Sequence, residues 1–203
     1  MLQNRVDPSG NIIITAARGA WMGNRGQLHD EHQRILRPFK LRAWLTCLLH
    51  FKGRQREVMA PNRYTELFFM DEATAFAAGH RPCFECRRKD YDRFKAFWIT
   101  GNRKPGFDLN TSINEIDKIL HKERIGRKGE KITYKDRLKN LPDGTFVLID
   151  DKPHLFADKR LFRWTPFGYE TPITLPEAET VTVLTPKSTV SAFKAGYQPQ
   201  MAI

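Results

Sequence analysis

The segment that decides the fold is Gly-His-Arg-Pro-Cys-Phe-Glu-Cys-Arg-Arg, at residues 79–88. A glycine commonly ends a helix, and a proline stiffens the turn that follows it. Two cysteines two residues apart in such a turn can direct both thiolates at one metal ion, which predicts half of a zinc site at Cys83 and Cys86. A pair of idle or buried thiols fits the same spacing, so the spacing alone leaves both interpretations open.

Two predicted helices flank this Cys-x-x-Cys knuckle (residues 83–86). Residues 72–78 are rich in alanine, Asp71 is a suitable N-cap, and Gly79 is a suitable stop. After the second cysteine, residues 89–99 predict an amphipathic helix with a basic polar face. A cluster of positive charge therefore lies directly beside the predicted metal site.

The remaining ligands of a zinc site are sought upstream of the knuckle. Residues 42–51 predict a strand that carries Cys47 and His50 as a Cys-x-x-His pair. Alternate residues of a regular strand share a face, so these two side chains point apart unless a bulge or the end of the strand brings them together. The alternative is that Cys47 is a small core residue.

Candidate acid and base groups lie on a predicted helix that Thr111 or Ser112 can cap and that runs to about Ile125. On such a helix Asp117, His121 and Arg124 form one polar stripe. A carboxylate that orients an imidazole beside an arginine can transfer protons near a phosphate, and His29 is a third candidate for this chemistry. The alternative is a solvated helix face with an ordinary ion pair.

Both ends of the chain have the patterns of β-structure. Residues 11–17 predict a strand, and the glycine-containing segment 18–26 predicts either an anion-binding loop or a plain surface loop. Further short strands are predicted at 145–149, 154–157, 161–164, 171–175 and 180–184, and short helices at 134–141 and 190–195. The sequence thus predicts an α+β fold with short strands and hairpins around the knuckle, two to four helices, and a β-rich C-terminal part.

The domain organisation follows from these patterns. We expect residues 1–100 to form a knuckle domain with a basic surface, 101–141 a helical basic connector, and 142–203 a small β-rich lobe. A single integrated domain is the alternative. The 203 residues are 40% hydrophobic and 28% charged, which is typical of a globular protein.

Composition also bears on location. No apolar run approaches the roughly 18 residues that span a bilayer, and the first residues lack the apolar core of a signal peptide. The three cysteines are an odd number, which argues against a disulfide scaffold. These features predict a cytoplasmic protein that has no membrane partner.

Charge indicates the kind of partner. The chain has 34 Lys and Arg against 23 Asp and Glu, a net charge of +11, and such an excess attracts polyanions. A protein that is simply basic is the alternative. The candidate nucleic-acid contacts are Arg18, Arg25, Arg81, Arg87, Arg88, Lys89 and, for base stacking, Trp164. For Trp164 the alternative is packing of the C-terminal lobe onto the rest of the chain.

Residues 68–86 resemble the second half of the Ada-type zinc-binding domain, which has an aromatic strand, a short alanine-rich helix, and then Gly-x-Arg-Pro-Cys-x-x-Cys. The resemblance covers about 25 residues. It implies a structural zinc ion with four protein ligands on a DNA-associated module, with Cys83 and Cys86 as two of the ligands. In this chain the other two would come from Cys47, His29, His32 and His50.

Three hypotheses on function follow. The first is a nucleic-acid-binding protein, with DNA favoured over RNA and a role in repair implied by the resemblance. The second is a nuclease or base-processing enzyme that uses His29, Asp117 and His121. The third is a non-catalytic scaffold that binds an acidic protein. The sequence leaves open whether the protein is an enzyme and which oligomeric state it adopts.

Overall fold

The predicted α+β fold is confirmed. The computed structural model describes residues 1–55, 57–103, 105–176 and 178–203, which form two six-stranded sheets, four α-helices and a short 3-10 helix. None of the helices among these residues has the length and apolar character needed to cross a bilayer.

The first sheet is built from the N-terminal part of the chain and carries the knuckle at one edge. Its strands are β1 Gln3–Val6, β2 Ile12–Ile14, β3 Trp21–Asn24, β4 Leu45–Cys47, β5 Leu67–Phe69 and β6 Arg81–Pro82, in the order β2-β1-β5-β3-β4-β6. Strands β4 and β6 run parallel, with Thr46 opposite Pro82. This pairing brings the ends of two strands that are distant in sequence to the same point.

The helices are α1 Glu72–Ala77, α2 Arg88–Gly101, α3 Ile113–Arg124 and α4 Lys187–Lys194. Helices α1 and α3 begin at the residues that local sequence signals predict, whereas the helix predicted at 190–195 begins three residues earlier. Asp71 accepts a hydrogen bond from the backbone N–H of Thr74 and caps α1, and Ser112 accepts one from Asn114 and caps α3. Gly79 adopts a φ of +90° after α1, a conformation that favours glycine.

The second sheet is built from the C-terminal part. Its strands are β7 Tyr134–Arg137, β8 Thr145–Ile149, β9 Lys152–Ala157, β10 Arg160–Thr165, β11 Gly168–Tyr169 and β12 Thr180–Val183, in the order β11-β10-β9-β8-β12-β7. The helix predicted at 134–141 is wrong: β7 pairs with β12 there, and only Leu138–Asn140 form a 3-10 turn. The strand predicted at 171–175 reduces to a single bridge at Ile173.

Helix α1 lies between the two sheets, and all six of its residues are buried. Ala73 and Ala77 belong to the core of the second sheet, while Ala75 belongs to the core of the first. Phe76 joins the cluster formed by α2, α3 and α4. Small side chains on α1 thus let three cores meet at one short helix, although the domain boundaries at 100 and 141 stay a prediction.

Candidate metal centre and its surroundings

Three cysteines from separate parts of the sequence converge at one edge of the first sheet. Cys47 ends β4, Cys83 follows β6, and Cys86 lies in the turn before α2. Their sulfur atoms all lie within 4.8 Å of one another, and all three thiols are free. The predicted pair of thiols therefore belongs to a triad that could hold a metal ion.

Backbone hydrogen bonds fix the triad. The N–H of Cys83 donates to the carbonyl of Thr46 at 2.9 Å, which holds the knuckle against β4. Within the knuckle, the N–H of Glu85 donates to the sulfur of Cys83 at 3.4 Å, and the N–H of Arg87 donates to the Cys83 carbonyl at 3.1 Å. The same turn that positions the sulfurs therefore starts α2.

The pKa of each thiol depends on its hydrogen bonds to the other two. Hydrogen bonds from the thiols of Cys47 and Cys86 lower the pKa of Cys83. Donating to Cys83 and Cys86 raises the pKa of Cys47, and burial adds to the rise. For Cys86 the hydrogen bond from Cys47 lowers the pKa, whereas the hydrogen bond to Cys83 and burial raise it. The net shift of the Cys86 pKa is upward. The cluster thus favours one thiolate held by two thiols, and a metal ion would displace the remaining protons.

The spacing of the sulfurs suits a metal–thiolate site. A tetrahedral ion with metal–sulfur bonds of about 2.3 Å holds its sulfurs about 3.8 Å apart, so the 4.8 Å limit requires little movement. Among the described residues, the cluster has three potential ligands. His50 does not belong to it: β4 ends at Cys47, and the His50 side chain is exposed. The structure thus does not bring His50 to the triad, and its role as a ligand stays a prediction.

A pocket of about 300 Å³ opens beside the triad. Besides the cysteines, it is lined by Met22, Asn24, Leu45, Leu48, Phe51, Arg54, Tyr64 and Glu85. At its surface Arg54 and Glu85 form an ion pair. A three-sulfur site next to open space leaves room for a fourth ligand from solution.

Two of the arginines predicted to contact phosphate are buried in ion pairs. Arg81 donates to both carboxylate oxygens of Asp117, at 2.7 and 2.6 Å. Arg87 pairs with Glu72 and Asp90 and also donates to the hydroxyl of Thr46. The prediction for Arg81 and Arg87 is corrected. Arg81 ties the start of the knuckle to α3, Arg87 ties its end to α1, and both are buried away from any nucleic acid.

The exposed part of the knuckle has a different composition. The Phe84 side chain is 53% exposed, and the guanidinium of Arg88 lies over its ring at 4.2 Å from the centroid. Arg88 also pairs with Asp92 at 2.9 Å, and Lys89 is exposed beside it. Sequence analysis missed Phe84. The signal that could have found it is its place between two cysteines whose sulfurs turn inward, which leaves the intervening side chain outside.

The remaining predicted nucleic-acid contacts are dispersed. Arg18 is exposed on the loop before β3, whereas Arg25 is buried and donates to the imidazole of His80 at 3.1 Å. Trp164 is buried in the core that contains Phe146, so its structure matches the packing alternative and not base stacking.

The three candidate catalytic residues do not converge. His29 is buried, with one ring nitrogen 2.6 Å from the Thr65 hydroxyl, and Asp117 is held by Arg81. His121 lies 3.2 Å from the guanidinium of Arg124, which together with burial lowers its pKa. The predicted orientation of the imidazole by Asp117 is therefore corrected, because the carboxylate has Arg81 as its partner.

Comparison of the chain with protein-family models, with curated proteins and with solved structures finds no match. The resemblance to the Ada-type domain therefore stays an expectation from residues 68–86. What the described residues contain is a cluster of three cysteines, where that resemblance implies four protein ligands.

Proposed function

We propose that this chain is a zinc protein that binds nucleic acid through the exposed side of its knuckle. The observation that carries the proposal is the position of the Phe84–Arg88 stack directly on the turn whose two cysteines join Cys47 in a triad. One side of the knuckle thus faces a metal ligand set, and the other side presents an aromatic ring and two cations.

Zinc is the metal that this ligand set favours. Thiolates are soft ligands, and zinc is the common partner of cysteine clusters in proteins without iron–sulfur spacing. Cys47, Cys83 and Cys86 would hold it, and the bound ion would tie β4 to the turn before α2. A ligand that is not a protein side chain, such as water, completes the coordination.

The exposed surface suits a nucleic acid. An exposed aromatic ring can stack on a base, a contact that contributes about 1–3 kcal/mol. Arg88 and Lys89 stand next to Phe84 and can contact the adjacent phosphates, and the net charge of +11 adds long-range attraction. An aromatic flanked by cations favours single-stranded or unpaired regions, and the resemblance favours DNA.

The test has two parts. Metal analysis of the purified protein should give about one zinc per chain. Fluorescence anisotropy should then show salt-dependent binding of single-stranded DNA, weakened by Phe84→Ala. The double change Arg88→Glu/Lys89→Glu should weaken binding and reduce the salt slope by about 2.

A matched control is Lys135→Glu/Lys139→Glu, which makes the same change of net charge at exposed positions in and after β7. Equal loss of affinity in both double variants would show that only total charge matters and would remove the knuckle from the interface. Absence of binding to DNA and RNA at low salt would overturn the proposal in favour of an acidic protein partner.

A further inference from the structure

A second pocket, of about 400 Å³, lies on the same sheet but is lined by other residues than the metal centre. The turn between β1 and β2, the segment before β4, and the chain just after α3 enclose it. Four cations line it: the exposed Arg37 at the surface, and Arg25, Arg124 and Lys131 further in. Arg25 and Arg124 are only 1% and 2% exposed, so their charges are held inside the protein.

Both guanidinium groups lie against the same indole. The central carbon of Arg25 and that of Arg124 are each 4.0 Å from the ring centroid of Trp44. Gly79 makes room for Arg124, because a Cβ there would lie 2.4 Å from the Cδ of that arginine. The two like charges are therefore fixed in place by close packing.

The hydrogen bonds of these cations go to neutral groups. Arg25 donates to His80 and to the carbonyls of Gly10 and Pro38, and its Nη2 has no partner among the residues that the structure describes. Arg124 donates to the carbonyl of Gly79 at 2.7 Å and to that of Arg42, and within the same described ranges its Nε has no partner. Lys131 donates to the carbonyl of Ala77.

No carboxylate among the described residues forms an ion pair with any of these three inner cations. Two carboxylates act on these cations at longer range: Asp117, whose oxygens both accept from Arg81, and Asp7, whose oxygens accept from Asn11 and keep their charge. A buried charge without a counterion is costly, and a buried polar atom without a partner adds to that cost. Two buried guanidinium groups and the ammonium group of Lys131 around one cavity indicate that the counterion is a ligand.

We infer that this pocket binds the phosphate of a phosphomonoester. A phosphate dianion matches several cations better than a single carboxylate does, and arginine and lysine are the usual phosphate ligands. The cavity exceeds the size of one phosphate, and Ile12, Ile35 and Leu36 give part of its lining an apolar character that suits the rest of a nucleotide. This inference does not depend on the proposed knuckle interface.

A phosphomonoester has two sources, a free nucleotide or the terminal phosphate of a nucleic-acid strand. Isothermal titration calorimetry on the full chain should compare AMP, adenosine, inorganic phosphate, and an oligonucleotide with and without a 5′-phosphate. We expect AMP and inorganic phosphate to bind and adenosine not to bind. A preference for the phosphorylated oligonucleotide without binding of AMP would identify the strand end as the source.

The variant Lys131→Met tests the site with the smallest risk to folding, because Lys131 as a residue is partly exposed, although its ammonium group is enclosed. It should lower the affinity for AMP by about tenfold or more. The control Lys128→Met removes an exposed cation of the same loop and should leave the affinity unchanged.

Equal binding of AMP and adenosine, or an unchanged affinity in Lys131→Met, would overturn the inference, as would the absence of any phosphate-dependent binding. The knuckle variant Phe84→Ala separates the two proposals. It should leave AMP binding intact, so that failure of one site is distinguishable from failure of the other.

Discussion

The ion pair between Arg81 and Asp117 shows how a single residue acquires its role. Both were candidates for function, one as a phosphate contact and the other as an acid or base, and each instead neutralises the other in the interior. The ion pair joins Arg81, two residues before the knuckle, to the middle of α3. Sequence could not show this, because the two residues are 36 positions apart and no local signal links them.

The variant Asp117→Asn should destabilise the protein by about 3–5 kcal/mol, because it leaves the buried guanidinium without its counterion. Urea denaturation of the purified variant measures this loss. Glu115→Gln on the same helix breaks the exposed pair with Lys118 and should change stability by no more than about 0.5 kcal/mol. A loss of stability in Asp117→Asn of no more than about 0.5 kcal/mol would contradict the structural role of the pair between Arg81 and Asp117.

Lys131 predicts a dependence of stability on pH in the ligand-free protein. Burial lowers its pKa to about 7, with Arg25 and Arg124 adding to the effect and Asp7 opposing it. The unfolded chain keeps a pKa near 10.4, so between about pH 7 and 10 it binds more protons than the folded chain. Stability therefore rises with pH in this window, with a slope of at most about 1.4 kcal/mol per pH unit.

Thermal or urea denaturation between pH 7 and 9 measures this slope. Lys131→Met should flatten it, because the variant has no ammonium group to deprotonate. An anion binds the charged form, so the affinity for sulfate, which does not titrate here, should fall over the same pH range. A rise in sulfate affinity with pH would contradict the arrangement of charges around Lys131.

At the scale of elements, local signals predicted the helices better than the strands. Asp71 and Ser112 mark helix starts with side chains that act within a few residues, Gly79 marks a helix end with its positive φ, and all three were predicted. Residues 134–141 were predicted as helix but pair with β12, some 45 positions later in the chain. Strand pairing depends on such remote partners, which a local pattern does not contain.

The parallel pairing of β4 with β6 explains which predicted metal ligands meet. It places Cys47 beside Cys83, whereas His50 lies beyond the end of β4. We expect Cys47→Ala to lower the zinc content of the purified protein well below one ion per chain, while His50→Ala leaves it unchanged. Metal analysis of both variants measures this. Equal zinc loss in the two would mean that His50 moves to the metal when it binds.

At the scale of the whole molecule, the sign of the net charge follows from the sequence, but which of the cations reach the surface does not. Among the cations predicted to contact nucleic acid, Arg18, Arg88 and Lys89 are exposed, while Arg25, Arg81 and Arg87 are buried. Composition counts all of them equally, since it carries no information on burial. The fold class and the knuckle could be predicted from the sequence, but the second pocket depends on residues from four distant segments.

The position of the cysteine triad in the molecule predicts how far removal of a bound metal ion would reach. Strands β4 and β6 form one edge of the first sheet, and α1 separates that sheet from the second one. A chelator should therefore loosen the knuckle, β4, β6 and the first turn of α2, while β8 and β9 stay folded on their own core. Hydrogen exchange with and without chelator should show faster exchange in the first group only, reversed by added zinc. Loss of protection throughout both sheets would instead mean that the ion stabilises the whole fold. The three cores that meet at α1 would then depend on the edge strands β4 and β6.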